Sequence, residues 1–237
     1  MKNTIPISWR RTLIDNAIND YNIFDKEDLK NFDVYEFGVF RGDSMVELAY
    51  ILNKHKIEVN RFHGFDVFSG MPKETAEPIF QDSWNPDILP DEFNVMSYDK
   101  TLKTPEDCAE VVRQKTQDVF DKKESKTKVN VVAGLVEETL SKQEDLKPAF
   151  YVDFDLDIYS PTKYAFNYLM ENKLIVPGTI IGYDDWGGTP DFDTFKHGES
   201  RAHKEIIDEW GIKMTKLLQN GNAFPHVQTV WIVEEVG

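Results

Sequence analysis

The segment Tyr151–Tyr159 reads YVDFDLDIY, with aspartates alternating with apolar residues. A strand sends residues i, i+2 and i+4 to one face, so up to three of the carboxylates of Asp153, Asp155 and Asp157 are predicted to lie together where it ends. A second segment, Thr179–Trp186 (TIIGYDDW), closes a β-branched run on Asp184 and Asp185. If these two strands are parallel neighbours, their carboxyl ends bring four or five acids into one crevice. Such charge density is unfavourable unless a cation or a shared proton compensates it. The bland alternative is a set of solvated loop aspartates.

A second constellation opens earlier, at Glu36–Ser44 (EFGVFRGDS). Gly38 and Gly42 permit a tight turn and close backbone approach by a ligand. The helix that follows offers unpaired N–H groups to an anion. A dinucleotide fingerprint would be G-x-G-x-x-G, whereas Phe40 sits mid-turn here and the third glycine is missing. An acid in the strand suits an ammonium and a helix end suits a carboxylate, so together they would hold an amino-acid zwitterion. Asp66, at the end of the next apolar run, stands where α/β nucleotide folds hold ribose hydroxyls.

The elements that would position these groups alternate in type. A helical period covers residues 8–21, with Ser8 as its cap and with Trp9, Leu13, Ile14, Ala17, Ile18 and Tyr21 apolar. Strands are predicted at Asp33–Phe37, Arg61–Asp66, Val129–Ala133, Ala149–Phe154 and Thr179–Tyr183. Helices follow from Asp43, over Thr104–Phe120, over Glu137–Gln143, from Pro161 and over His197–Trp210. Two last strands, Ile212–Leu218 and Val227–Val233, flank a Gly-Asn turn and read as an antiparallel pair. This order predicts an α/β fold: a Rossmann-like, doubly wound, mostly parallel seven-stranded sheet with one antiparallel strand. Residues 69–101 lack periodicity and carry four prolines with Phe80, Trp84, Phe93 and Tyr98. A loop of that length in a compact domain is a lid or a binding loop, and its aromatic content argues against disorder.

Residues 1–237 are read as one domain, with a lid-like insert at about 73–100. The formal charge of −15 argues against a nucleic-acid partner. The one cysteine, Cys108, excludes an intrachain disulfide and suits a reducing cytoplasm. No apolar run approaches the ~20 residues needed to span a bilayer, and Arg10 and Arg11 come too early for a secretory apolar core.

With those residues set out, the chain resembles class I S-adenosylmethionine-dependent methyltransferases, and within them the macrocin O-methyltransferase family. Four motifs carry the resemblance in order: Glu36–Ser44, Gly64–Pro72 (GFDVFSGMP), Asp155–Thr162 (DLDIYSPT) and Pro177–Trp186, with Gly198, Glu199 and Ala202 beyond. The resemblance implies that Glu36 meets the methionine ammonium, directly or through water, while Gly38, Gly42 and Ser44 cradle its carboxylate. It places Asp66 on the ribose and Gly134, Val136 and Glu137 at the adenine. Asp155, Asp184 and Asp185 look like the family's ligands for a divalent cation such as Mg²⁺, with Asp157 as general base. The family has two alternating acids where this chain has three, so Asp153 and Asp155 could instead fill those roles. The implied function is metal-dependent O-methylation of a small-molecule hydroxyl, on a sugar or glycosylated natural product. A homo-oligomer is left open. The competing readings are a nicotinamide-dependent oxidoreductase on a similar sheet and a cofactor-binding protein without turnover.

Overall fold

A computed structural model describes residues 9–78, 85–186, 195–220 and 227–237. The side chains of Trp9, Arg10 and Asn220 are not described. The elements are α1 (Trp9–Tyr21), β1 (Asp33–Phe37), α2 (Asp43–His55), β2 (Arg61–Asp66), α3 (Val95–Tyr98), α4 (Pro105–Asp121), β3 (Lys128–Ala133), α5 (Val136–Thr139), β4 (Ala149–Phe154), α6 (Tyr159–Glu171), β5 (Ile180–Tyr183), α7 (Gly198–Trp210), β6 (Lys213–Asn220) and β7 (Gln228–Glu235). The strands form one sheet in the order β3-β2-β1-β4-β5-β7-β6. β7 runs antiparallel to both neighbours and every other pairing is parallel. This is the sheet of class I methyltransferases.

Each face of the sheet has its own apolar layer. On one side α1, α2 and α4 bury Ile14, Ala17, Leu48, Ala49, Leu52, Val112 and Phe120 against Val34, Phe62, Tyr151 and Ile180. On the other, α5, α6 and α7 cover Tyr35, Phe37, Phe65, Val152, Phe154 and Tyr183. An aromatic ladder crosses four strands on that second face. Phe37 stacks on Phe65 and Phe154 at 5.2 and 5.4 Å, and Phe154 stacks on Tyr183 at 5.3 Å. Offset stacking of this kind adds ~0.5–1.5 kcal/mol per pair beyond area burial, and it aligns the strand ends that carry the acids.

Several boundaries differ from the sequence reading, each for a local reason. α6 begins at Tyr159 instead of Pro161, because a proline in the first turn lacks only an N–H that would be unpaired anyway. The run 69–101 contains α3, whose first turn is capped by the Asn94 side chain accepting from Met96 N at 3.1 Å. A bridge between Ser69 and Asn94, with Val95 N donating to Phe68 O at 3.1 Å, ties that segment back to the end of β2. Helix α4 starts as the sequence indicates, with Thr104 and Asp107 forming a reciprocal cap around Pro105. The expected cap Ser8, the loop aromatics Phe80 and Trp84, and the Gly-Asn turn between the last two strands lie outside the described residues.

Candidate active site

The strand order reverses between β1 and β4, and in open α/β sheets the crevice beyond such a reversal is where ligands bind. The turns that leave β1 and β4 interlock there. Asp155 N donates to Phe37 O at 2.8 Å, and Asp184 N donates to Phe154 O at 3.0 Å. The sheet ladder therefore runs one residue beyond each strand and carries an aspartate at its tip. Gly38, at φ +84°, makes the interlock possible, since a Cβ there would lie 1.7 Å from the Asp155 carbonyl oxygen.

Asp155, Asp184 and Asp185 each bring a carboxylate oxygen into one group whose members lie within 4.8 Å of one another. Asp157, at φ +64°, turns back beside them and shares a side-chain hydrogen bond with Asp185. Burial, then the charge of Asp185 and the bond to it, push the Asp157 carboxyl well above the usual carboxylate range. Burial disfavours the ionised form, and a proton shared with Asp185 relieves the crowding of the two carboxyls. Gln228 on β7 donates to Asp184 Oδ1 at 2.5 Å.

Asp153 goes elsewhere. Strand β4 ends at Phe154, so Asp153 stays within the sheet, fully buried on the α1 side, where it accepts from Arg11 Nη1 at 2.8 Å and from Tyr151 Oη at 3.0 Å. Of the up to three aspartates expected together, Asp155 and Asp157 meet and Asp153 does not, because the alternation stops with the strand. Asp155 and Asp157 belong to the turn, and four acids meet in the crevice.

The cavity beside this cluster holds about 300 Å³. Its wall includes Gly38, Asp66, Gly134, Val136 and Glu137 of the expected cofactor residues, together with Asp155, Asp157, Asp184 and Asp185. Glu36, Gly42 and Ser44 are not among its lining residues. Glu36 is fully buried, receives the Ser44 hydroxyl, and lies 3.5 Å from Arg11 Nη2. Asp66 accepts from Val39 N and Phe40 N at 2.7 and 2.8 Å and from Phe68 N at 2.6 Å, so it also shapes the glycine turn. Burial nevertheless outweighs these bonds and raises its pKa. Phe40, at φ +49°, packs edge-on against Phe93 at 5.8 Å and Tyr98 at 5.5 Å, which joins part of the 73–100 insert to the turn.

The sequence motifs include Glu199 without assigning it a role. Glu199, at the start of α7, is fully buried and accepts from Leu156 N at 3.0 Å and Asp185 N at 3.1 Å. It holds both acid-bearing turns at once. Burial and the charges of Asp185, Asp155 and Asp184 raise its pKa well above the ordinary value. Tyr159 is a packing residue, buried with its hydroxyl on Glu205 Oε2 at 2.7 Å.

The profile of the family described as Macrocin-O-methyltransferase (TylF) matches residues 22–212. The chain belongs to the macrocin O-methyltransferase family. It is accordingly an S-adenosylmethionine-dependent O-methyltransferase, and the nicotinamide reading falls with that assignment. Among solved structures of the same fold, the calicheamicin methyltransferase CalS11 is 18% identical, with a TM-score of 0.57 over 94% of this chain and 76% of that one. A second CalS11 structure is described as a TDP-rhamnose 3′-O-methyltransferase. The O-methyltransferase NovP is 16% identical, with a TM-score of 0.59 over 95% of this chain and 78% of that one. An O-methyltransferase from Bacillus cereus in complex with SAH is 15% identical, with a TM-score of 0.52 over 98% and 94% of the two chains. No curated protein sequence matches the chain. Among the described residues, no helix is long and apolar enough to cross a membrane.

Proposed function

We propose that this macrocin O-methyltransferase family member is divalent-metal-dependent and methylates one hydroxyl of a vicinal diol on a sugar or glycosylated natural product. The observation that carries this reading is the convergence of Asp155, Asp184 and Asp185 on one point at the edge of the cavity that Gly38, Asp66 and Val136 also line. An all-oxygen, acidic donor set fits Mg²⁺. Gly38 and Asp66, which follow β1 and end β2, both line this cavity, and that fits a cofactor lying over the ends of these two strands. When bound, S-adenosylmethionine supplies a methyl group on a sulfonium, and the metal ion supplies a Lewis acid for the acceptor oxygens.

The chain's own residues do the rest. Gly134, Val136 and Glu137 border the adenine end, Asp66 takes the ribose hydroxyls, and Glu36, Gly42 and Ser44 serve the amino-acid end from behind the turn. Asp157 accepts the proton that leaves the acceptor hydroxyl. Burial first and its anionic neighbours second raise its pKa, so neutralisation of those neighbours by a cation would favour the ionised base. Glu199 fixes the separation of the two acid turns. Phe93, in the described part of the 73–100 insert, borders the same cavity and stands where it would cover the acceptor. A diol on a sugar agrees with the reaction named for CalS11. The net charge of −15 favours a small-molecule acceptor over a nucleic acid, and a buried Cys108 accords with work in the cytoplasm.

The test is methyl transfer from S-adenosylmethionine to candidate diols after exhaustive EDTA treatment, with and without added Mg²⁺. Activity should vanish on metal removal and return with Mg²⁺. Full activity in a demonstrably metal-free sample would show that the acid cluster has another purpose.

A further inference from the structure

We propose that Arg11, on a helix that precedes the span matched by the family, is a positioning residue for the amino-acid end of the cofactor. The inference rests on Glu36 being the acid that serves the cofactor's ammonium. Helix α1 ends at Tyr21 and the family match starts at residue 22, so no family motif contains Arg11. Its guanidinium is nevertheless fully enclosed at the centre of the molecule. Asp153 Oδ2 lies 2.8 Å from Nη1, Glu36 Oε1 lies 3.5 Å from Nη2, and Glu47 Oε2 lies 3.7 Å from Nε. One planar fork thus ties together β1, β4 and α2, the three elements that meet under the glycine turn.

The consequence reaches the cofactor through Ser44. Beside a guanidinium, Glu36 is the acceptor in its bond with Ser44, and the serine hydroxyl is the donor. Ser44 has one proton and spends it on Glu36, so towards a ligand it offers lone pairs only. A hydroxyl so committed suits an ammonium better than a carboxylate, which leaves the carboxylate to the backbone N–H groups at the start of α2. Arg11 sets this polarity by fixing the Glu36 carboxylate in place. Removing the guanidinium leaves two buried acids without it, and a buried carboxylate that loses its cation turns or takes up a proton.

The experiment compares two ligands by calorimetry on the full-length protein. S-adenosylhomocysteine has the amino-acid end, whereas 5′-methylthioadenosine keeps the adenosine and thioether and lacks it. Arg11→Met should weaken S-adenosylhomocysteine by roughly ten- to hundredfold, the worth of one charge-assisted contact, and leave 5′-methylthioadenosine within about threefold. Arg11→Lys keeps the charge and loses the fork, so its ratio of the two affinities should fall between those of Arg11→Met and the wild type. A role limited to holding the fold would lower both ligands together, and that result, or no change in either, would overturn the inference. Should Arg11→Met not fold, the ratio in Arg11→Lys decides, and a wild-type ratio there overturns it. Glu36→Ala separates the two levels. A wild-type ratio in Glu36→Ala removes the underlying reading of Glu36. A lowered ratio in Glu36→Ala with a wild-type ratio in the Arg11 variants removes the Arg11 inference alone.

Discussion

Asp184 and Asp157 stand close together yet are assigned different work, and substitution should separate them. Asp184→Asn keeps the shape, and its Oδ1 can still accept from Gln228. It removes one of three charges from the cation's donor set, so Mg²⁺ affinity should fall and excess Mg²⁺ should restore part of the activity. Asp157→Asn should leave metal and cofactor affinity near wild type while turnover drops by about 10²–10⁴, the usual worth of a general base. Calorimetric Mg²⁺ titration beside a turnover assay distinguishes the two. An equal loss of metal affinity in both variants would make Asp157 a ligand instead of a base.

Among the elements, the turn after β1 and the turn after β4 behave as one part. A methyl group at position 38 would collide with the Asp155 carbonyl and would also require φ near +84° from a residue with a Cβ. Gly211, the C-cap of α7, is a useful contrast: φ is +63° and nothing lies within 4 Å of a Cβ there. Gly211→Ala should therefore cost only the left-handed conformation, about 1 kcal/mol. Gly38→Ala should cost clearly more and should also weaken Mg²⁺ binding, because Asp155 has to move. Denaturant unfolding and metal titration of both variants provide the comparison. Equal costs with unchanged metal affinity would mean that the interlock does not position Asp155.

On the scale of the whole molecule, the second apolar layer contains a histidine whose charge state links stability to pH. His203 on α7 is fully buried among Trp186, Phe195, Trp231 and Phe166, with Nδ1 3.0 Å from Tyr183 Oη. Burial, with a smaller contribution from Lys204, lowers its pKa from 6.5 to about 3. Unfolding exposes it, so between those values the unfolded chain binds the proton that the folded one refuses. Stability is therefore lost as pH falls below the unfolded value, and the loss saturates below the folded one. The slope is on the order of 1.4 kcal/mol per pH unit. His203→Gln has no such group, so urea unfolding from pH 6.5 down to 3 should show the wild type losing stability relative to the variant. Parallel curves would mean that His203 titrates normally in the folded protein.

The strands and the helices between them were legible because the local signals agree. Short apolar, largely aromatic runs bounded by glycine or an acid mark β1, β2 and β4 to the residue. The metal-type acids were legible in part, since Asp155, Asp184 and Asp185 each stand directly beyond such a run. Although the apolar run ends β4 at Phe154, the period-two alternation continues to Asp157 and so could not separate Asp153, inside the sheet, from Asp155 and Asp157 in the turn. That end point depends on where the neighbouring strands cease to offer partners. Arg11, Glu199 and Gln228 were invisible as site residues for a related reason. Their contacts with Asp153, Leu156 and Asp184 join positions 142, 43 and 44 residues apart in the chain. No local pattern encodes such a pairing. It arises only when the two layers close on the sheet, because a buried charge or a buried N–H then has to find a partner among the groups that packing has brought within reach.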